Sequence, residues 1–358
     1  MNPYTLTSTS SKFIHALRAV LAQIVLVGHV LKIYGFTNEN SLLTKLTPYA
    51  VLVFFVLSGY VIAYSTGNKG RAYGFKKFII DRFARIYIVV IPTLVFSIVL
   101  GFIGYALLGF LPFNLNPWHF VSTLLMQQEN PVLLHVQYIL PNTEYFNIIG
   151  FFGENLPLWS LSLEWWNYVF FGFVFYFFVS KYSKFEYLLF IASLMFVISY
   201  TILPSKSSYG LTLIWFEGVL VHQLLTKKIR LNYSGILAIA SLLLTFFVFN
   251  LQPQLSIIPC GLFLFFSIRF FQENSSNTWN KFLDVFKWPG NYSFSLYCLH
   301  YPLLLFSAQW LSPTPWNVLL IIVLSNALSY LNFQFIESKH KALGKLLLSK
   351  IQSHRNTR

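Results

Sequence analysis

The chain has 358 residues, of which 56% are apolar and only 10% charged, and its mean hydropathy is +0.61. That composition exceeds what a water-soluble core of this length uses, so it excludes a soluble globular enzyme and points to a polytopic membrane protein. The formal net charge of +14 would suit a nucleic-acid binder, but the basic residues fall in alternate connections, the positive-inside pattern of membrane proteins, and nucleic acid is not expected as a partner.

Windows of about twenty mainly apolar residues, the length needed to cross a bilayer, predict about ten transmembrane helices. They lie near residues 13–33, 47–65, 86–110, 157–179, 186–203, 209–225, 234–250, 255–271, 292–310 and 316–336. The first window is full length, carries an internal Arg and lacks a small-residue cleavage pattern, so it is expected to persist as a span and not to be removed as a signal. Lys69, Arg71, Lys76, Lys77, Arg82 and Arg85 crowd the connection after the second window. Further basic groups are Lys181 and Lys184, then Lys227, Lys228 and Arg230, then Arg269, Lys281 and Lys287, and a tail from Lys339 to Arg358. The alternate connections hold only Lys32, Lys45 and Lys206. Both termini are therefore predicted to be cytoplasmic.

The expected architecture is an all-α membrane helical bundle. A single embedded domain spans residues 1–340, followed by a basic cytoplasmic tail over 341–358, and no internal repeat divides it. The long connection from about 111 to 156 is expected to be extracytoplasmic. It contains Pro112, Pro117, Trp118, Glu129, Pro131, Pro141, Glu144 and Glu154, and has room for short helices or an amphipathic piece forming a lid or acceptor surface. A plain connector is the alternative. Cys260 and Cys298 both fall within windows, which suggests buried apolar side chains and neither a disulfide nor a metal site.

The polar groups inside the windows carry the chemistry. A central Arg costs about 2.5–3.5 kcal/mol on insertion scales, so intramembrane ionisable residues mark an ion path, a substrate path or a reaction centre. Arg18 and His29 lie eleven residues apart in the first window. Eleven helical steps bring them to within about 20° of one face, roughly 16 Å apart along the axis. Counting depth from the window ends places His29 and Glu164 together toward the outer surface. Arg18, Arg82, Arg85 and Glu337 gather toward the cytoplasm.

An inward set of guanidinium groups suits a polyphosphate ligand, whereas ordinary topology anchoring by Arg82 and Arg85, or an Arg18–Glu337 structural pair, are the plain readings. At the outer cluster, an imidazole whose second ring nitrogen is held by a partner can accept and return a hydroxyl proton. Glu164 is the expected partner of His29, against the plain reading of a structural histidine. His300 has Ser293 and Tyr297 on roughly its own face and lines the same cavity or bonds across helices. Glu217 reads as a buried structural contact. There is no HExxH, no Cys/His cluster and no Gly-rich nucleotide loop, so no metal is expected.

These segments together resemble the acyltransferase 3 family of integral membrane acyltransferases, which O-acetylate bacterial surface glycans and related acceptors. Arg18 and His29 match its Arg-x10-His signature, Phe54 to Ala63 its FFxLSGF-like segment, and Arg82 with Arg85 its R-x-x-R. Trp159 to Glu164 (WSLSLE) resembles its WSLSVE element, Tyr292 to Leu304 its SYSxYLxHxPLL segment, and Phe335 to Ser338 its closing IE motif. The chain departs at His15 and Ala16, where many relatives have Asp-Gly, and at Trp165, where they have a second Glu. The SGNH esterase-like domain that many relatives append is not expected here.

The resemblance implies a multi-pass protein of the bacterial inner membrane that takes an acyl group, commonly acetyl, from cytoplasmic acetyl-CoA or another acyl-CoA. It delivers that group to a hydroxyl of a surface glycan, such as lipopolysaccharide or capsule, or of a lipid-linked sugar precursor. On this reading Arg82, Arg85 and Arg18 hold the donor's phosphates. His29 acts as general base or transient acyl carrier with Glu164 and Arg18, and Trp159, Ser160, Tyr297 and His300 contact substrate. The remaining partners are membrane lipids. A proton-coupled transporter or flippase of a glycan or lipid intermediate, or an inactive scaffold, are the competing classes; neither releases free CoA.

Overall fold

The computed structural model describes residues 5–38, 41–128, 130–139, 150–202, 210–227 and 231–356. Glu129, Pro141, Glu144, Lys206, Lys228, Arg230 and Arg358 lie outside the described residues. Among those described, the fold is all-helical. In chain order the helices are α1 (Ser8–Ile33), α2 (Leu42–Lys69), α3 (Phe75–Leu108), α4 (Pro117–Leu124), α5 (Pro131–Ile139), α6 (Trp159–Tyr176), α7 (Lys184–Ile202) and α8 (Leu211–Leu225). There follow α9 (Ser234–Leu251), α10 (Ile257–Glu273), α11 (Asn277–Asp284), α12 (Lys287–Asn291), α13 (Ser293–Ser307), α14 (Pro315–Phe335) and α15 (His340–Asn356).

Every predicted window contains a helix among the described residues, but by length and apolarity seven segments qualify as membrane spans: α1, α2, α3, α7, α9, α10 with its preceding turn, and α14 running on into α15. The three that do not are α6 (18 residues), α8 (15 residues) and α13 (15 residues). These are the helices that carry Glu164, Glu217 with His222, and His300. Polar and aromatic groups dilute the apolarity of α6 and α13, whereas α8 is apolar but only 15 residues long. Within the predicted basic tail, α15 is a helix that packs along α3.

On α9 and α14 the exposed faces are apolar while small and polar groups lie inward, the reverse of a helix in water. On α9, Ile236, Ile239, Leu243 and Phe247 are exposed while Ser241 and Thr245 are buried. On α14, Leu320, Val323 and Leu324 are exposed while Ser325, Ser329 and Asn332 are buried. Two of the buried hydroxyls are satisfied within their own helix: Thr245 donates to the Ser241 carbonyl (2.6 Å) and Ser329 to that of Ser325 (2.6 Å). Such a surface calls for lipid, where each backbone polar group must be paired internally.

The chain divides into two compact units: Met1–Gly28, Thr37–Arg71 and Tyr200–Ser293 in the first, and His29–Phe36, Ala72–Ser199 and Phe294–Arg358 in the second. The first is organised by α2 crossing α8 at two glycines. A Cβ on Gly59 would strike the Trp215 carbonyl, and one on Gly218 would strike the Val56 carbonyl and the Tyr60 amide. Both obstacles are backbone, so a side chain is accommodated only if the helices part. Gly218→Ala is expected to destabilise the protein by about 1–3 kcal/mol or more, read as a lower unfolding temperature in detergent. Gly67→Ala, whose nearest neighbour would be His222 Nε2 at 3.4 Å, is expected to leave that temperature nearly unchanged.

In the second unit, α3 packs on α6 and α15. Gly172 of α6 lies flat against the Phe78 ring, and Phe75 meets Phe173 edge-on at 4.5 Å between centroids. The long connection does contain the short helices α4 and α5. It is pinned to α3 by Tyr87, whose hydroxyl donates to the Leu124 carbonyl at 2.5 Å, and to α6 by Ser162 and Trp166. Those two donate to the carbonyls of Gln128 (2.7 Å) and Met126 (2.8 Å).

Candidate active site

His29 stands in the last turns of α1, half-buried, at the point where that helix passes into the second unit. Its partner there is His300 of α13, which is 1% exposed. His29 Nδ1 and His300 Nε2 are 2.9 Å apart, and the rings are parallel to within 4° with centroids 5.2 Å apart. His300 Nδ1 in turn lies 2.8 Å from the Leu296 carbonyl one turn earlier.

This chain fixes the tautomers of two neutral rings. A carbonyl only accepts, so His300 Nδ1 carries the proton and its Nε2 has the lone pair; His29 Nδ1 must then be the donor. His29 Nε2 is left with the lone pair, the form a general base needs. Tyr301 sets its ring edge-on to His29, 5.2 Å between centroids and 83° between planes, which limits rotation of the imidazole.

The start of α6 is tied to the same stretch of α13. Tyr297 donates to the Pro157 carbonyl (2.7 Å) and shares a 2.7 Å hydrogen bond with the Ser160 hydroxyl. Asn155, fully buried, donates to the Cys298 carbonyl at 2.9 Å. Ser160 and Tyr297 therefore meet, and Tyr297 lies 6.2 Å from His300 between ring centroids. Trp159 opens α6 and its carbonyl accepts from Ser162 (3.0 Å).

Glu164 is half-buried one turn further along α6 and within electrostatic reach of Tyr297 and Cys298. Its carboxylate accepts from the Tyr168 hydroxyl. The orienting hydrogen bond to His29, assigned to Glu164 from sequence, is made by His300.

The arginines sort differently from the depth count. Arg85 is ion-paired to Glu337 at 2.6 Å and lies over the Phe294 ring at 5.4 Å. Glu337 is fully buried and also accepts from the Ser295 amide (3.2 Å) and hydroxyl (2.5 Å), while Asn332 donates to the same hydroxyl (2.8 Å). One carboxylate thus ties α3, α13 and the end of α14 together. Sequence offered Arg18 as a partner of Glu337; Glu337 forms its ion pair with Arg85.

Arg82, one turn earlier on α3, packs at 5.9 Å over Phe78. Arg18 belongs to the first unit, half-buried on α1 and one turn from His15. Ser295 and His300 are five residues apart on α13, roughly 7.5 Å along its axis. The arginine–carboxylate knot and the imidazole pair of the second unit are therefore near neighbours on one helix. The hydropathy window for this span begins at residue 86. The helix begins at Phe75, so Arg85 sits about 15 Å into it.

Sequence reasoning missed Tyr301, Tyr168, Ser295 and Asn332. Only Tyr168 left a signal, its i+4 spacing from Glu164.

A family model described as an acyltransferase domain matches residues 11–332. No curated protein and no solved structure was found to match the chain.

Proposed function

Because the chain belongs to the acyltransferase 3 family, we propose that it is a membrane O-acyltransferase moving an acyl group, in the first instance acetyl, from acyl-CoA to a sugar hydroxyl of a surface glycan or its lipid-linked precursor. The observation that carries this reading is the His29–His300 hydrogen bond, which leaves a lone pair on His29 Nε2. The acceptor hydroxyl attacks the thioester carbonyl as His29 Nε2 takes its proton. The C–S bond then breaks and the CoA sulfur leaves as the thiol, with the proton returned from His29.

The positive charge formed on His29 is shared through His300 toward the Leu296 carbonyl. Two adjacent imidazoles do not both ionise, so the pair takes up one extra proton at a time. Ser160 and Tyr297 are assigned to the acceptor side, with Trp159 as an aromatic surface for the sugar ring. Glu164 supports this wall with Tyr168.

Arg82 is assigned to the donor's phosphates, and Arg18 is the first unit's own candidate for such a contact. Arg85 acts there chiefly through Glu337. Both termini and the donor face the cytoplasm of the bacterial inner membrane, and the acceptor faces the other side. The test is mass spectrometry of surface polysaccharide from cells with and without the protein. An acetyl increment of the glycan that disappears with the protein is expected; identical glycan masses would contradict the reading.

A further inference from the structure

A groove of about 680 Å3 opens in the second unit among the first turns of α3, the connection between α6 and α7, and the C-terminal half of α15. Lys76, Lys77 and Lys181 line it, all exposed. Its walls are apolar, among them Phe185, Leu189 and Leu348. The carboxylates nearby are engaged: Glu186 accepts from the Ser183 amide (2.7 Å) and hydroxyl (2.8 Å), and Asp81 accepts from Tyr73. Burial and that bond to Asp81 push the Tyr73 phenol up, so it remains a neutral donor.

The groove also receives the start of α3, a helix of 34 residues with no acidic residue in its first turn and no capping side chain at Gly74. Two lysines at the positive end of a helix dipole are unfavourable by themselves, and an anion between them reverses the sign of that interaction.

From this charge complementarity we infer that the groove seats one anionic phospholipid, its phosphate between Lys76, Lys77 and Lys181 and its acyl chains along the apolar wall. A soluble phosphate compound would use the lysines but would leave the wall unfilled. A zwitterionic lipid would fill the wall but bring its own cation to the lysines. The volume suits a headgroup with the first methylenes of its chains, and basic clusters where a helix leaves the membrane are suited to such headgroups.

The test is native mass spectrometry of the purified full-length protein exchanged into mixed micelles of phosphatidylglycerol and phosphatidylcholine. The expected result is one phosphatidylglycerol retained per chain, with about tenfold preference over phosphatidylcholine. That retention should fall to the phosphatidylcholine level in the K76Q/K77Q/K181Q variant. Leu348→Trp, which leaves the lysines in place and fills the wall, is expected to expel the same lipid.

Equal retention of the two lipids, or full retention by both variants, would overturn the inference. So would displacement of the retained lipid by free CoA, which would make the groove a phosphate-donor site. Should the triple variant not fold, K181Q alone, in the connection between α6 and α7, gives the same reading through a partial loss.

Discussion

His29→Ala lowers the initial rate of acyl transfer by about 10²–10⁴-fold, the usual contribution of a positioned general base, while the variant protein still folds and inserts. His300→Ala lowers it less. Removing His300 takes away one hydrogen bond, a net term of about 0.5–1.5 kcal/mol, which corresponds to a fall of up to about tenfold in rate. What is lost is orientation: without His300 Nε2 as acceptor, His29 has no reason to keep its proton on Nδ1, and the productive tautomer is diluted.

His300→Gln tests that cause. The Gln side-chain carbonyl accepts from His29 Nδ1 and is expected to restore much of the rate, which mere filling of space would not do. Initial rates with labelled acetyl-CoA for the three variants decide the matter. A folded, inserted His29→Ala protein with undiminished transfer would remove the assigned chemistry. Equal loss in His300→Ala and His300→Gln would reduce His300 to a packing residue.

The second large effect is on stability. Arg85→Met leaves the Glu337 carboxylate, fully buried, without its cation, and breaking one side of a buried pair costs about 3–5 kcal/mol. Glu337→Leu is expected to cost less, because the Arg85 side chain keeps 24% exposure and a guanidinium can reach polar surroundings. Replacing both residues together removes the uncompensated charge and is expected to recover a good part of the loss.

Unfolding of the three variants in detergent measures this. Additive losses in the double variant would mean that the two groups do not act as a pair. The same result bears on function. If Arg85 works through Glu337, the double variant regains stability and retains its apparent affinity for acyl-CoA. A lost affinity in that recovered protein would put Arg85 on the donor.

Much of the fold is legible in the sequence because hydropathy reports apolar helices directly: each predicted window contains a helix among the described residues, and seven helical segments are long and apolar enough to cross a membrane. The window edges are less legible. The basic first turns of α3 read as a connection, although Lys76, Lys77, Arg82 and Arg85 already lie on the helix. Helical spacing shows which residues share a face, as with Arg18 and His29, but not which helix that face meets.

His29 and His300 are 271 residues apart, and nothing local to either announces the other. Glu164 was the more natural partner on charge alone, yet a charge has no fixed neighbour in sequence, and its carboxylate accepts from the tyrosine one turn away on its own helix. The glycines tell the same story. Gly59 and Gly218 look like isolated small residues until α2 and α8 cross on them.

The central claim is that an acyl group leaves CoA and arrives on a glycan hydroxyl through His29. It is tested most directly by counting both ends of the transfer in proteoliposomes given labelled acetyl-CoA on one side and cell-envelope glycan on the other. The account predicts one acetyl gained by the glycan for each CoA freed, with both counts abolished together in His29→Ala. Movement of glycan or lipid across the membrane with no CoA freed would contradict it.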